Sequence, residues 1–271
     1  MSEKIAENIT PKNIIPEFIK NLPLQLGICV SYKGNNVFSF NEGMVFPAAS
    51  IVKIPLCLLI LKKVQDNKLE LDQVIDIDQK VGGSGIVKDL TIKAYSIRDL
   101  ITLALIVSDN TASNTLINLC SFEEINSFIH SYGLVNTCLN RKFMVDLVNP
   151  PVNFVTASEM NLLLCKLLNY EILSKHYSLM FIDILLKQQY REKIPLFLKD
   201  VLVANKTGDI SGISHDSGIV FLESNIEKAI EKGNFYVVTI LTSFSKQVSR
   251  DLVNNIIGEI SLNIYRWIGG I

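Results

Sequence analysis

The chain lacks the roughly 18 consecutive uncharged apolar residues that a membrane-spanning helix requires; its longest apolar run, Ile54 to Leu61, is too short and contains Pro55. It has no CxxC pair. Its five cysteines, Cys29, Cys57, Cys120, Cys138 and Cys165, are scattered, and an odd count leaves at least one thiol unpaired. They read as reduced, mostly buried residues rather than as a metal site or disulfide framework. Neither sign of charge dominates: 26 Lys and Arg stand against 27 Asp and Glu, interspersed, for a formal net charge of -1. That balance removes the electrostatic reason to expect a nucleic acid or an anionic membrane as partner, and a small substrate fits better. No repeat, low-complexity tract or Pro/Gly/Ser-rich linker interrupts the chain. The first residues, Met1 to Asn8, lack the continuous apolar core of a secretory signal. As written, this predicts a cytoplasmic protein, and a periplasmic or secreted one if a signal peptide was removed.

What is present is ample core material: 48% hydrophobic residues in 271, enough for one large domain or two closely packed halves. After an expected N-terminal helix, Leu26 to Tyr32 and Asn36 to Phe40 are β-like runs joined by Lys33-Gly34-Asn35, a hairpin pattern. From Pro47 to about Leu198 apolar residues recur at helical spacing, as in Leu100, Leu103, Ala104 and Val107. Strand-like runs return at Val201 to Lys206, Gly218 to Leu222 and Phe235 to Leu241, before an amphipathic segment over about Lys246 to Trp267. The expected architecture is α+β in a single domain spanning 1–271. A sheet lobe of about 1–46 and 199–271 is antiparallel and flanked by helices, and an all-helical lobe of about 47–198 is inserted into it. The join should form a cleft.

Three short strings carry the chemistry. In Phe46-Pro47-Ala48-Ala49-Ser50, proline suits the first turn of a helix, which puts Ser50 near a helix N-terminus and Lys53 at i+3 on the same face. Pro55 would free the Ile51 carbonyl. A hydroxyl needs such help to become a nucleophile, although the string alone also reads as an ordinary N-cap serine with a solvated lysine. Ser96-Ile-Arg-Asp99 resembles a capping box opening a helix that stops at Ser108-Asp109-Asn110. That second string is either a turn or a set of working groups: Ser108 as a proton shuttle to a leaving group, Asn110 as an amide that orients the lysine and binds a substrate carbonyl. Val201 to Gly208 reads as a strand ending in Lys206, Thr207 and a glycine that lets a ligand approach the backbone.

Together, in this order, the strings resemble the set of the penicillin-recognising serine hydrolases, and within them the class A β-lactamases: Ser-x-x-Lys, Ser-Asp-Asn and Lys-Thr-Gly. Gly83 to Leu90, Ser108 to Asn114, Thr156 to Met160 and Asp216 to Ile219 extend the similarity over nearly the whole chain from about residue 22. The resemblance implies a β-lactamase/transpeptidase-like fold. It implies Ser50 as acylated nucleophile and Lys53 as its base or relay, with Ser108 and Lys206 in proton transfer and carboxylate attraction. Asn110, Thr207, Gly208 and Asp209 fall to substrate binding, with the backbone N–H groups of Ser50 and Asp209 as oxyanion hole. No metal or organic cofactor is implied, and the expected partner of a monomer is a small β-lactam or peptide-like substrate.

Two departures shape the expected reaction. Class A enzymes carry a glutamate soon after an arginine, which positions the water that hydrolyses the acyl-enzyme; after Arg141 no glutamate follows, and Phe143 takes the matching position. Asp146 is a weak substitute. Asp209, directly after Gly208, would repel a substrate carboxylate if its side chain faces the cleft. His215 reads as a surface turn residue or a contributor to the cleft. The sequence therefore points to β-lactam opening through a Ser50 acyl-enzyme with slow deacylation. The alternatives are a peptidase or esterase with another substrate, or a covalent penicillin-binding protein without turnover.

Overall fold

A computed structural model describes residues 10–145, 148 and 151–269. Asp146 lies outside the described residues. In chain order the first half contains β1 (Leu24–Tyr32), β2 (Asn35–Phe40), β3 (Val45–Pro47), α1 (Lys53–Gln65), β4 (Val74–Asp76), β5 (Ala94–Ser96), α2 (Ile97–Ile106), α3 (Asn110–Ile117) and α4 (Phe122–Ser131). The second half contains β6 (Phe154–Thr156), α5 (Ala157–Leu168), α6 (Lys175–Leu186), β7 (Val203–Ile210), β8 (Ile213–Phe221), α7 (Ile226–Lys232), β9 (Phe235–Phe244) and α8 (Arg250–Gly269).

β1 and β2 form the expected hairpin. Lys33 and Gly34 at its turn both have positive φ, 50° and 78°, the backbone that matches the twist of a two-residue connection. The main sheet runs β2-β1-β9-β8-β7 with every neighbouring pair antiparallel, so the two ends of the chain complete one sheet and β7 is left as an edge. Strand alternation divides the core. Ile28, Val30, Val238 and Ile240 pack with Ile256 and Ile260 of α8, whereas Cys29, Val237 and Leu241 join the helices on the opposite face. There Asn161 of α5 donates from Nδ2 to the carbonyls of Cys29 (2.9 Å) and Val237 (3.1 Å), tying that helix to two adjacent strands.

The apolar run in α1 is a core helix: Lys53 through Leu61 are all buried, and each large apolar side chain so placed contributes about 1.5–3 kcal/mol. Ser96, Ser121 and Thr156 cap α2, α4 and α5, each side-chain oxygen accepting an N–H three residues on.

Several details differ from the sequence expectation. The segment before β1 holds two 3₁₀ turns, Pro11–Asn13 and Glu17–Asn21, rather than a longer helix among its described residues; Pro11, Pro16 and Pro23 cut it short. Pro47 ends a strand and does not begin a helix, because Phe46 and its neighbours pair with β6. α1 starts at Lys53, so Pro55 lies in its first turn, where an N–H has no intrahelical partner to lose; the Ile51 carbonyl accepts from Ile54 N at 3.0 Å. The helical middle also carries two short antiparallel ribbons, β3 with β6 and β4 with β5. Of the cysteines, Cys29 and Cys57 are buried and the other three are half-buried. Among the described residues no helix is long and apolar enough to cross a membrane.

Candidate active site

Ser50 stands in the turn between β3 and α1. Ala48 N donates to the Asn153 carbonyl at 2.7 Å, and Lys53 N and Ile51 N close back onto Ser50 O (3.2 Å) and Ala48 O (3.1 Å). Ala49 is held at φ 45°, a left-handed conformation that an alanine adopts only under constraint from its surroundings. The result is a sharp turn with Ser50 at the junction of two chambers, of about 390 Å³ and 230 Å³.

Lys53 is fully buried, and its Nζ donates to Ser108 O (2.7 Å), Ser108 Oγ (3.2 Å) and Asn110 Oδ1 (2.8 Å). Burial, then the charge of Lys206, holds its pKa well below the ordinary lysine value, against an opposing pull from Asp109. The Phe143 ring covers the amine, its centroid 4.4 Å from Nζ. Phe143 is fixed at its backbone, where Asn114 accepts from Phe143 N and donates to Phe143 O, both at 2.8 Å.

Ser108 occupies the turn between α2 and α3 at φ 55°. Asp109 makes that turn rigid: Oδ1 accepts from Ala112 N (2.9 Å) as the cap of α3, and Oδ2 accepts from Ile86 N (2.7 Å) and Val87 N (2.8 Å). A Cβ at Gly85, φ 102°, would fall 2.2 Å from Oδ2, so this loop needs glycine to close on Asp109. Asn110 donates from Nδ2 to Gly82 O at 3.1 Å while Oδ1 takes the lysine.

On the facing wall, β7 presses its edge against the serine turn; a Cβ at Gly208 would lie 3.1 Å from Ser50 N and 3.0 Å from Ile51 Cγ1. Lys206 is fully buried, with Nζ donating to the Thr207 carbonyl at 2.7 Å. Burial and then the neighbouring charge of Lys193 lower its pKa to about 7. Thr207 lines the smaller chamber together with Ser50 and Ser108. The structure thus brings Ser50, Lys53, Ser108, Asn110, Lys206, Thr207, Gly208 and Asp209 to one cleft.

Two expectations need correction. The Asp209 side chain does face the cleft, but its carboxylate is held by the fully buried Lys193 at 2.5 Å and approached by Arg250 at 3.8 Å, so its charge is compensated. His215 is neither a surface residue nor a cleft residue. It is buried in β8 opposite Gly208, where Nδ1 accepts from Thr242 N (3.0 Å), which leaves Nε2 as the donor to Pro47 O (2.9 Å). Burial lowers its pKa to about 4, so it stays neutral and pins the serine turn to the sheet. Lys193, Arg250, Asn114 and Asn153 were not legible as site residues. Lys193 sits in Arg191-Glu192-Lys193, which reads as a solvated charge run, and nothing local signals its burial.

A buried amine of lowered basicity, a serine on a sharp turn, a second hydroxyl held by that amine and an edge strand closing the far wall constitute the layout of the serine β-lactamase fold. The profile of the beta-lactamase enzyme family matches residues 10–268, and the chain belongs to that family. Solved structures agree over nearly the full length. A β-lactamase from Sphaerobacter thermophilus is 25% identical with a TM-score of 0.83, covering 93% of this chain and 94% of its own. A class A β-lactamase representative from Bacteroides cellulosilyticus is 21% identical with a TM-score of 0.82 over 97% and 99%. PBP-A, a leucine-to-glutamate mutant described as an acyl-enzyme complex with penicillin G, is 23% identical with a TM-score of 0.84 over 96% of both chains.

Proposed function

We propose that this protein opens β-lactam amides through an acyl-enzyme on Ser50, and that the ester is released slowly. Ser50 Oγ attacks the lactam carbonyl as its proton passes to Lys53 Nζ, whose burial favours the neutral, proton-accepting form. The backbone N–H groups of Ser50 and Asp209 receive the oxyanion. When the carbon–nitrogen bond breaks, Ser108 hands its hydroxyl proton to the leaving nitrogen and is reprotonated from Lys53, whose Nζ lies 3.2 Å from its Oγ and carries the proton taken from Ser50. Asn110 orients Lys53 and binds the acyl amide, while Lys206, Thr207 and Gly208 hold the substrate carboxylate and let its backbone approach.

The observation that carries slow release is the Phe143 ring 4.4 Å from Lys53 Nζ, at the position where the resemblance expects a glutamate and its water. The nearby carboxylate of Asp109 is committed to three backbone N–H groups. Loss of a positioned general base typically costs about two to four decades in rate. Family membership supports β-lactams as the substrate class, and PBP-A, whose leucine-to-glutamate mutant is described as an acyl-enzyme complex with penicillin G, supports acylation by a penicillin on this scaffold. The peptidase or esterase alternative loses the support it drew from Asp209, because Lys193 compensates that charge.

Intact mass followed after mixing with excess penicillin tests the reading. A persistent adduct on Ser50 is expected. Rapid loss of the adduct with hydrolysed drug would overturn slow release, and absence of any adduct would overturn the acyl-enzyme itself.

A further inference from the structure

The larger chamber beside Ser50 has a lining that the reaction steps leave unused. Four apolar residues, Phe143, Met144, Val152 and Ile210, form a strip along it, and Arg141 and Lys142 add two cations. Three of the four are unusually exposed for their type: Met144 61%, Val152 39% and Ile210 44%. Exposed apolar side chains that converge on one concavity mark a surface waiting for a ligand.

The chamber's presentation is built. Arg141 is fixed at its backbone by Asn153, which accepts from Arg141 N on Oδ1 (3.0 Å) and donates from Nδ2 to Arg141 O (3.2 Å). Phe143 is fixed by Asn114 in the same way. Lys142 is therefore carried between two anchored residues. The acid in the same chamber, Asp209, is already held by Lys193 and Arg250, so the field a ligand meets there is cationic.

We propose that this chamber selects acyl donors whose acyl side chain is a short apolar segment ending in a carboxylate, the segment lying on the apolar strip and the carboxylate meeting Arg141 and Lys142. The inference rests on the acyl-enzyme reading and adds its substrate class. The donor is a dianion, with one carboxylate toward Lys206 and Thr207 and the second on the opposite side of Ser50.

The test compares two derivatives of 6-aminopenicillanic acid, one carrying an adipoyl side chain and the other its terminal amide, by the second-order rate of Ser50 acylation. A half-buried cation contributes up to about fivefold, so with two cations the adipoyl compound is expected to react about fivefold faster at low salt. That ratio should shrink toward one at about 0.5 M NaCl, where charges at the mouth are screened, and fall below one in Lys142→Glu. A wild-type ratio of one or less, or a ratio indifferent to both salt and Lys142→Glu, overturns the subsite and leaves the acyl-enzyme standing. Failure of both compounds to label Ser50 overturns the acyl-enzyme reading and this inference with it.

Discussion

Replacing Phe143 by glutamate is expected to convert a persistent acyl-enzyme into one that turns over. Residue 143 is clamped through both its N–H and its carbonyl by Asn114, each bond 2.8 Å, so a substitution changes what covers Lys53 without moving the backbone that presents it. A glutamate there replaces an aromatic face with a carboxylate able to hydrogen-bond to the Lys53 amine and to activate a water. Cutting the ring also opens room for that water. A positioned general base is worth about 10² to 10⁴ in rate, or about 2.7–5.5 kcal/mol of barrier. The adduct lifetime should therefore shorten by at least about a hundredfold, read by intact mass after removal of free penicillin. Phe143→Gln is the matched control, since it opens the same space without supplying a base and should stay within about tenfold of the parent. If Phe143→Glu still acylates but keeps its adduct as long as the parent does, the absence of a base at this position is not what holds the ester.

Lys53→Met should slow acylation by about two to four decades while leaving the protein folded, because methionine fills much of the same buried volume; acylation at the parent rate would remove Lys53 from the mechanism. Acylation by penicillins should fall as pH rises through about 7, since Lys206, its pKa lowered to about 7, then sheds the charge that attracts the substrate carboxylate. A penicillin methyl ester should show a shallower fall, and identical profiles for acid and ester would contradict that role. Gly208→Ala should slow acylation by about tenfold or more, because the new Cβ meets Ser50 N at 3.1 Å and displaces the edge strand; sub-ångström misplacement of reacting groups carries costs of this order. An unchanged acylation rate would mean that β7 is not held against the turn.

What was readable from sequence was whatever short-range chemistry specifies. The hairpin at Lys33-Gly34, the Ser96 cap and the three motif strings each concern residues within a few positions of one another. What was not readable depends on register and distant packing. Pro47 looked like the start of a helix because its strand partner lies more than a hundred residues on, at Phe154. His215 found its place only through the pairing of β7 with β8 and of β8 with β9, which sets it beside Pro47 and Thr242. Asp209 looked like a repulsive charge because the lysine that compensates it belongs to an unremarkable charged stretch. Phe143 was recognisable as the residue that replaces a glutamate, but its position over the Lys53 amine is a tertiary fact.

Two of the three interior lysines, Lys53 and Lys206, have a consequence for how this molecule can change. Each is sealed from solvent and its pKa is depressed by burial, so the native state binds these protons less tightly than the unfolded chain does, and that difference works against folding below the ordinary lysine pKa of about 10.4. An apolar residue of similar length at either position would relieve the penalty and, under the proposed mechanism, end the chemistry in the same step. Activity and robustness are therefore opposed at the same two side chains. A lineage released from selection for the reaction would drift toward a sturdier, silent relative before it lost the fold.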